Sequence, residues 1–334
     1  MEVGDLVAED EEAAASAKEA LRLKFLQKMA FANLRLKAKR RKAAAAAAGA
    51  AAAAATAATS APPLPAPAIL LDEASLRFEL SAAEAAAGRL SDATLAAVAS
   101  AVERAGVACI ELPTTSSTNV LPPDAPLAAC SAAAASYFAS ADGVGRRRAP
   151  GRWDVVDAAL MEVAPFDSRA LRWSGFWAKL VRRLLGPACR LDRTGVVFAQ
   201  EGAAEQGVHR DGKHLFYQTG NTPCHLPPHC LHVFVPLIDI ATREGGPTQF
   251  WPGTHRHGAA PRGAEDNGVT FTETRALRAG SAVIFDFRIL HRGLANASDA
   301  LRPMLYFTFA RAWFRDDTNY GGEDARGHDK IADG

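Results

Sequence analysis

After residue 194 the chain breaks into short β-prone runs: GVVFAQ (195–200), LHVFVPLIDI (231–240), PTQFWP (247–252), VTFTE (269–273), SAVIFDFRIL (281–290) and PMLYFTFARAW (303–313). Clusters of Gly, Pro, Asn and Asp separate them. Such a succession admits few architectures: strands this short bury their apolar faces only by stacking two sheets or closing a barrel. Helices flank the β-rich part. SDATLAAVASAVERAG (91–106) has a capping Ser91, an apolar stripe and a terminal Gly106, the signature of an amphipathic helix. VACIEL (107–112) reads as a strand. Residues 127–190 are expected to be mainly helical, with Trp173, Phe176, Trp177, Leu180 and Leu184 spaced to bury one face.

The first 68 residues have a different composition. Acidic residues crowd positions 2–12. KEALRLKFLQKMAFANLRLKAKRRK follows, with Leu21, Phe25, Met29, Ala32 and Leu36 at helical spacing, and then an alanine tract (43–61) and PPLPAPA. The spacing predicts a basic amphipathic helix. Alanine favours helix but has little to bury, and the prolines make a stiff linker. Residues 1–68 are therefore expected to form a weakly structured extension. Its KAKRRK run is a candidate nuclear-import signal or docking element for an acidic protein partner. A domain over 69–320 and a flexible tail over 321–334 complete the expected organisation.

Several function classes are disfavoured. The formal net charge is +1 over 334 residues, so no global field draws the protein to nucleic acid or a membrane. No apolar run approaches the ~20 residues of a membrane helix. The acidic start is unlike a secretory or transit signal, and KIADG is not a peroxisomal tripeptide. Cys109, Cys130, Cys189, Cys224 and Cys230 are odd in number and fit free thiols in a reducing compartment. The expected location is the cytoplasm, with the nucleus as the alternative.

The chemistry is suggested by three separated pieces. In His209-Arg-Asp211, residues two apart on a strand face the same side, so both side chains can grip one ion; alone, the tripeptide is common. If Val283, Phe285, Phe287 and Ile289 point inward, His291 does too, although a histidine there reads equally as a packed core residue. Arg302 opens the next strand, with Met304, Tyr306, Thr308 and Ala310 on its face and Phe307 and Phe309 on the other. An inward arginine needs a carboxylate partner, whereas alone it reads as a surface residue. Together, two histidines and a carboxylate form a facial triad with three open positions. That arrangement suits Fe(II) binding a bidentate cosubstrate and O2, with the arginine holding the cosubstrate's far carboxylate.

Four stretches, GVHRDGKH, HVFVPLIDIATREGGPTQFWPGTHRHG, GSAVIFDFRILHRG and LRPMLYFTFARAWF, together with SDATLAAVASAVERAGVACIE, resemble the phytanoyl-CoA dioxygenase family of Fe(II)/2-oxoglutarate-dependent dioxygenases. The likeness covers about 70–320. It implies a double-stranded β-helix (jelly-roll, cupin-like) core, mainly β with flanking helices. It implies His209, Asp211 and His291 as metal ligands and Arg302 as the anchor of the 2-oxoglutarate C5 carboxylate. Gln206 and Thr248 sit where relatives sometimes place polar contacts to the cosubstrate. The implied activity is hydroxylation of an unactivated C–H bond of a small organic or acyl substrate, using Fe(II), 2-oxoglutarate and O2 and releasing succinate and CO2. Related halogenases have a small residue in place of the carboxylate, so Asp211 favours hydroxylation or another oxidation over halogenation.

Five of the nine histidines lie in residues 207–232. The spacing of Cys224, His225, His229, Cys230 and His232 does not match the usual closed zinc site. Their loop is expected near the barrel mouth, which makes His214, Phe216, Tyr217 and His229 candidate substrate contacts. His255 in PGTH is expected to make a structural hydrogen bond at a turn set by Pro252 and Gly253. The competing reading is a catalytically idle jelly-roll protein acting through its basic N-terminal helix.

Overall fold

A computed structural model describes residues 71–113, 121–140, 146–215, 225–256 and 268–316. The N-terminal extension, the tail, Phe216, Tyr217 and Cys224 lie outside the described residues.

The strands are β1 (Arg77–Glu79), β2 (Val107–Glu111), β3 (Arg146–Ala149), β4 (Arg152–Val155), β5 (Arg190–Ala199), β6 (Cys230–Pro236), β7 (Thr248–Phe250), β8 (Ala282–Asp286), β9 (His291–Gly293) and β10 (Arg302–Ala310). Eight of them form one sheet in the order β1-β2-β8-β6-β10-β5-β4-β3, and β7 pairs with β9 in a second sheet. Isolated bridges widen the second sheet, joining His209 to His291 and Phe250 to Val269. Its order is therefore 209 segment, β9, β7, 269 segment, facing β5, β10, β6 and β8 of the large sheet. From β5 to β10 the chain repeatedly crosses between the two, which is the jelly-roll, double-stranded β-helix core.

The helix of residues 92–105 forms as its sequence dictates. Ser91 caps it by accepting from the Thr94 N–H, Leu95, Val98, Ala99, Val102 and Ala105 are buried, and Gly106 ends it at φ 83°. The outer face of β10 lies under aromatic side chains. Trp177 stacks on Phe307 at 5.6 Å and Trp173 meets Phe309 edge-on at 4.9 Å. All nine residues of β10 are buried, so Phe307→Ala should cost about 3–5 kcal/mol.

Two sequence expectations need correction. Residues 127–190 are not mainly helical throughout, because the β3–β4 hairpin interrupts them and β4 extends the large sheet beside β5. The cavity-facing residues of β4 are the charged Arg152 and Asp154, so the hydrophobic alternation that announces a strand is missing. SAVIFDFRIL is not one strand. It ends at Asp286, and the chain turns through 287–290 into β9 of the other sheet. The turn is held by a buried Asp286–Arg288 pair at 2.7 Å, with Arg288 also donating to the Leu226 carbonyl.

Candidate metal centre

Between the two sheets lies a cavity lined by residues of both, including His209, Asp211, His232, Thr248, His291 and Arg302. His209 and His291 form one antiparallel pair: His209 N–H donates to the His291 carbonyl at 3.0 Å and His291 N–H to the His209 carbonyl at 2.9 Å. Asp211, two residues on, faces the same side. His209, Asp211 and His291 each offer a ligand atom, all within 4.8 Å of one another.

The ring orientations are fixed from behind. His209 Nδ1 lies 2.8 Å from the Gly207 carbonyl and His291 Nδ1 3.1 Å from the Ile289 carbonyl. A carbonyl only accepts, so each Nδ1 carries the proton and each Nε2 presents a lone pair. Those Nε2 atoms stand 3.7 Å and 3.4 Å from the Asp211 carboxylate. Burial works against the Asp211 charge. The facing His291, together with the nearby His232, outweighs it and holds the carboxyl well below its usual range. Burial likewise opposes charge on His291, and the Asp211 carboxylate reverses this and raises its pKa.

Arg210, between the two ligand candidates, reaches instead to the Arg288 and Thr254 carbonyls at 2.8 and 2.9 Å. Gly212 follows because a Cβ there would fall 1.8 Å from the Phe287 ring.

Arg302 is 2% exposed, and its Nε and Nη1 have no hydrogen-bond partner. Arg152 is equally buried. It donates through Nη2 to the Leu294 carbonyl, while its Nε is unpartnered. Both arginines flank Ala199 of β5, Arg302 from β10 and Arg152 from β4. Burial pushes the Arg302 guanidinium down to about 9, with the Arg152 charge adding to the effect, and burial alone pushes Arg152 down to about 10. Unpartnered buried cations are costly. An anionic group between them would answer that cost, which is what a dicarboxylic cosubstrate supplies. A His2Asp donor set beside two anion-seeking arginines fits the iron and 2-oxoglutarate that the sequence implies.

Of the remaining residues singled out in the sequence, Thr248 lines the cavity opposite Gly293 of β9. Gln206 also lines it and accepts from the Gly293 N–H at 2.9 Å. His214 is described but is not among the lining residues. His229 is buried against Phe314, ring centroids 4.4 Å apart, and is not among the lining residues. His255 accepts no ligand role: it is buried, and its Nε2 meets the Glu103 carbonyl at 3.1 Å beside Gly106.

Sequence reasoning missed Arg152 and His232. Arg152 sat in a stretch read as helical. His232 was expected to begin a strand but was given no role at the site; it stands on β6 with its Nε2 3.1 Å from Asp211 Oδ2. Its alternation with Phe234 along the β6 run was the available signal.

The family model for phytanoyl-CoA dioxygenase (PhyH) matches residues 90–304. The fold is similar to many solved structures, among them the following three. The 2-oxoglutarate-dependent epimerase SnoN from nogalamycin biosynthesis is 23% identical, with a TM-score of 0.47 over 66% of this chain and 82% of its own. HygX from Streptomyces hygroscopicus, with nickel, 2-oxoglutarate and hygromycin B bound, is 15% identical, with a TM-score of 0.47 over 71% and 95%. EctD from S. alaskensis, with 2-oxoglutarate and 5-hydroxyectoine, is 17% identical, with a TM-score of 0.45 over 66% and 76%. On the family match, the chain belongs to the phytanoyl-CoA dioxygenase family of 2-oxoglutarate-dependent dioxygenases.

Proposed function

We propose that this protein hydroxylates an unactivated C–H bond of a small organic or acyl substrate. His209, Asp211 and His291 hold Fe(II), and Arg302 anchors the C5 carboxylate of 2-oxoglutarate. Together the bound iron and cosubstrate supply an oxidant made from O2, with succinate and CO2 as co-products. The chain's own contribution is geometric and electrostatic. The Nδ1-protonated histidines present Nε2 to the ion, and Asp211 supplies the charge. Arg302 fixes the far end of the cosubstrate, which orients its metal-binding end. Thr248 and Gln206 add polar contacts along the cosubstrate; because the Gln206 carbonyl is engaged by Gly293, it contributes its amide N–H groups. His214, Phe216 and Tyr217 are proposed to meet the substrate.

The observation that carries the reading is the pairing of the triad with a buried arginine whose donors lack partners. Among the described residues no helix is long and apolar enough to cross a membrane. Cys109, Cys130, Cys189 and Cys230 are free thiols, in keeping with a reducing compartment, proposed to be the cytoplasm. No nucleic-acid partner is proposed. The basic stretch within residues 1–68, expected from its sequence to be helical, is proposed to dock a protein partner rather than to serve catalysis.

The test is Fe(II)-dependent conversion of 2-oxoglutarate to succinate across a panel of small substrates. The wild-type protein should turn over, and deletion of residues 1–68 should leave that activity intact. Asp211→Ala should lose it by more than ~100-fold, since even outer partners of a metal site are worth 10–100-fold. Full turnover in Asp211→Ala would overturn the ligand assignment.

A further inference from the structure

A third histidine faces Asp211, and the groups around its ring differ from those that set the rings of His209 and His291. His232 lies on β6, and its register partner on β10 is Thr308. Its Nε2 is 3.1 Å from Asp211 Oδ2, close enough to donate although not aligned as a hydrogen bond, and its Nδ1 is 3.0 Å from the Thr308 hydroxyl. Both side chains are buried, 7% and 5% exposed. A carboxylate oxygen only accepts, so a hydrogen bond across the Nε2 contact has the ring nitrogen as its donor. The other nitrogen then accepts from the Thr308 hydroxyl, which can rotate to donate. His209 and His291 show the reverse, because backbone carbonyls claim their Nδ1 protons. Hydrogen bonding thus sorts the three histidines into two that present a lone pair and one that presents an N–H.

We propose that His232 is a positioning residue that donates to Asp211 Oδ2 and, with its tautomer set by Thr308, holds the carboxylate aimed between His209 and His291. The surroundings restrain the ring as well. His232 packs against Phe285 at 5.0 Å and Phe287 at 5.3 Å. Asp211 turns on two side-chain torsions, and it follows an irregular segment that meets β9 only through the His209–His291 pair and the Gln206 N–H on the Gly293 carbonyl among its backbone hydrogen bonds. The large sheet therefore supplies, through His232, the register that the short second sheet lacks. Hydrogen-bonded outer partners of this kind orient ligands and raise metal affinity.

The inference rests on the reading of His209, Asp211 and His291 as the metal site. It is tested by anaerobic titration of the full-length protein with Co(II) alone, following both affinity and the visible ligand-field spectrum. His232→Phe should bind Co(II) roughly 10–100-fold more weakly with the wild-type spectrum. His232→Gln, which keeps a donor near Nε2, should recover most of the loss. Thr308→Val should weaken binding in the same direction by less, and it serves if His232→Phe fails to fold. Wild-type affinity in a folded His232→Phe, or in Thr308→Val where the Phe variant does not fold, would overturn the positioning role. A changed ligand-field spectrum in His232→Phe would overturn it differently, by making His232 a direct ligand. Absence of Co(II) binding by the wild-type protein would overturn the metal site itself, and with it this inference.

Discussion

His209 and His291 exchange both backbone hydrogen bonds, at 3.0 and 2.9 Å, and their rings lie 4.5 Å apart. One antiparallel pair thus brings together two candidate ligands that are far apart in the chain. The pair depends on the segment after Asp211 lying close to the turn at Phe287, where the Gly212 N–H donates to the Phe287 carbonyl at 3.0 Å. Gly212→Ala would place a Cβ 1.8 Å from the Phe287 ring. The variant should lose about 1–3 kcal/mol of stability and most of its Co(II) affinity. A Gly212→Ala/Phe287→Ala double variant should recover part of both. Urea denaturation and metal titration of the two variants check this.

Arg302→Met should have opposite effects on cosubstrate and fold. It removes a buried cation with two unpartnered donors, and replacing such a charge with an apolar side chain of similar volume is neutral or stabilising. The melting temperature of the metal-free protein should hold or rise. Affinity for 2-oxoglutarate should fall roughly 10–100-fold, since hydrogen bonds to charged groups are worth about 1.5–3 kcal/mol. Calorimetric titration with and without Co(II) reads both, and Co(II) affinity itself should stay near wild type.

Gly293 allows Gln206 and Arg152 to crowd its backbone. A Cβ there would lie 2.7 Å from the Gln206 carbonyl oxygen and 2.8 Å from Arg152 Nη1. Gly293→Ala should raise KM for 2-oxoglutarate, because both side chains must move away from the cosubstrate end. An unchanged KM would separate Arg152 and Gln206 from cosubstrate binding.

Acid should destabilise the fold through His229 and His255. Burial pushes each down to about 4, against roughly 6.5 for an unfolded chain. The unfolded state therefore takes up protons first. The stability from keeping these rings neutral is full above about pH 6.5 and is lost as the pH falls toward 4, by up to on the order of 3 kcal/mol per ring. Stability measured by urea denaturation should drop over that window, and His255→Gln should flatten part of the slope. A flat profile between pH 6.5 and 4.5 would contradict the burial of both rings as neutral groups.

The sheet core was legible because its strands bury regular apolar faces. LHVFVPLIDI and PMLYFTFARAW place Phe234, Met304 and Tyr306 on the cavity side, and Phe307 and Phe309 against tryptophans. That His209, Asp211 and His291 would come together and that Arg302 would face inward was legible, because His209 and Asp211 are two residues apart and His291 and Arg302 each begin a strand. Arg152 was not, because its strand carries charge inward and its partner β5 is supplied only by the fold. His232 was obscured by the histidines and cysteines around it, and only the folded register reveals that it faces Asp211. The crossover at 287–290 was hidden too, since Phe287, Ile289 and Leu290 carry the apolar run of the strand on past Asp286.

The central claim is one site that holds Fe(II) and 2-oxoglutarate together, and anaerobic titration of the protein with both tests it without knowledge of the substrate. A ferrous 2-oxo-acid chelate gives a weak visible charge-transfer band. The band should appear and saturate at one equivalent of iron in the wild-type protein, require much more 2-oxoglutarate in Arg302→Met, and be absent in Asp211→Ala. No band in the wild-type protein at saturating iron and 2-oxoglutarate, or an undiminished band in Asp211→Ala, would contradict the assignment.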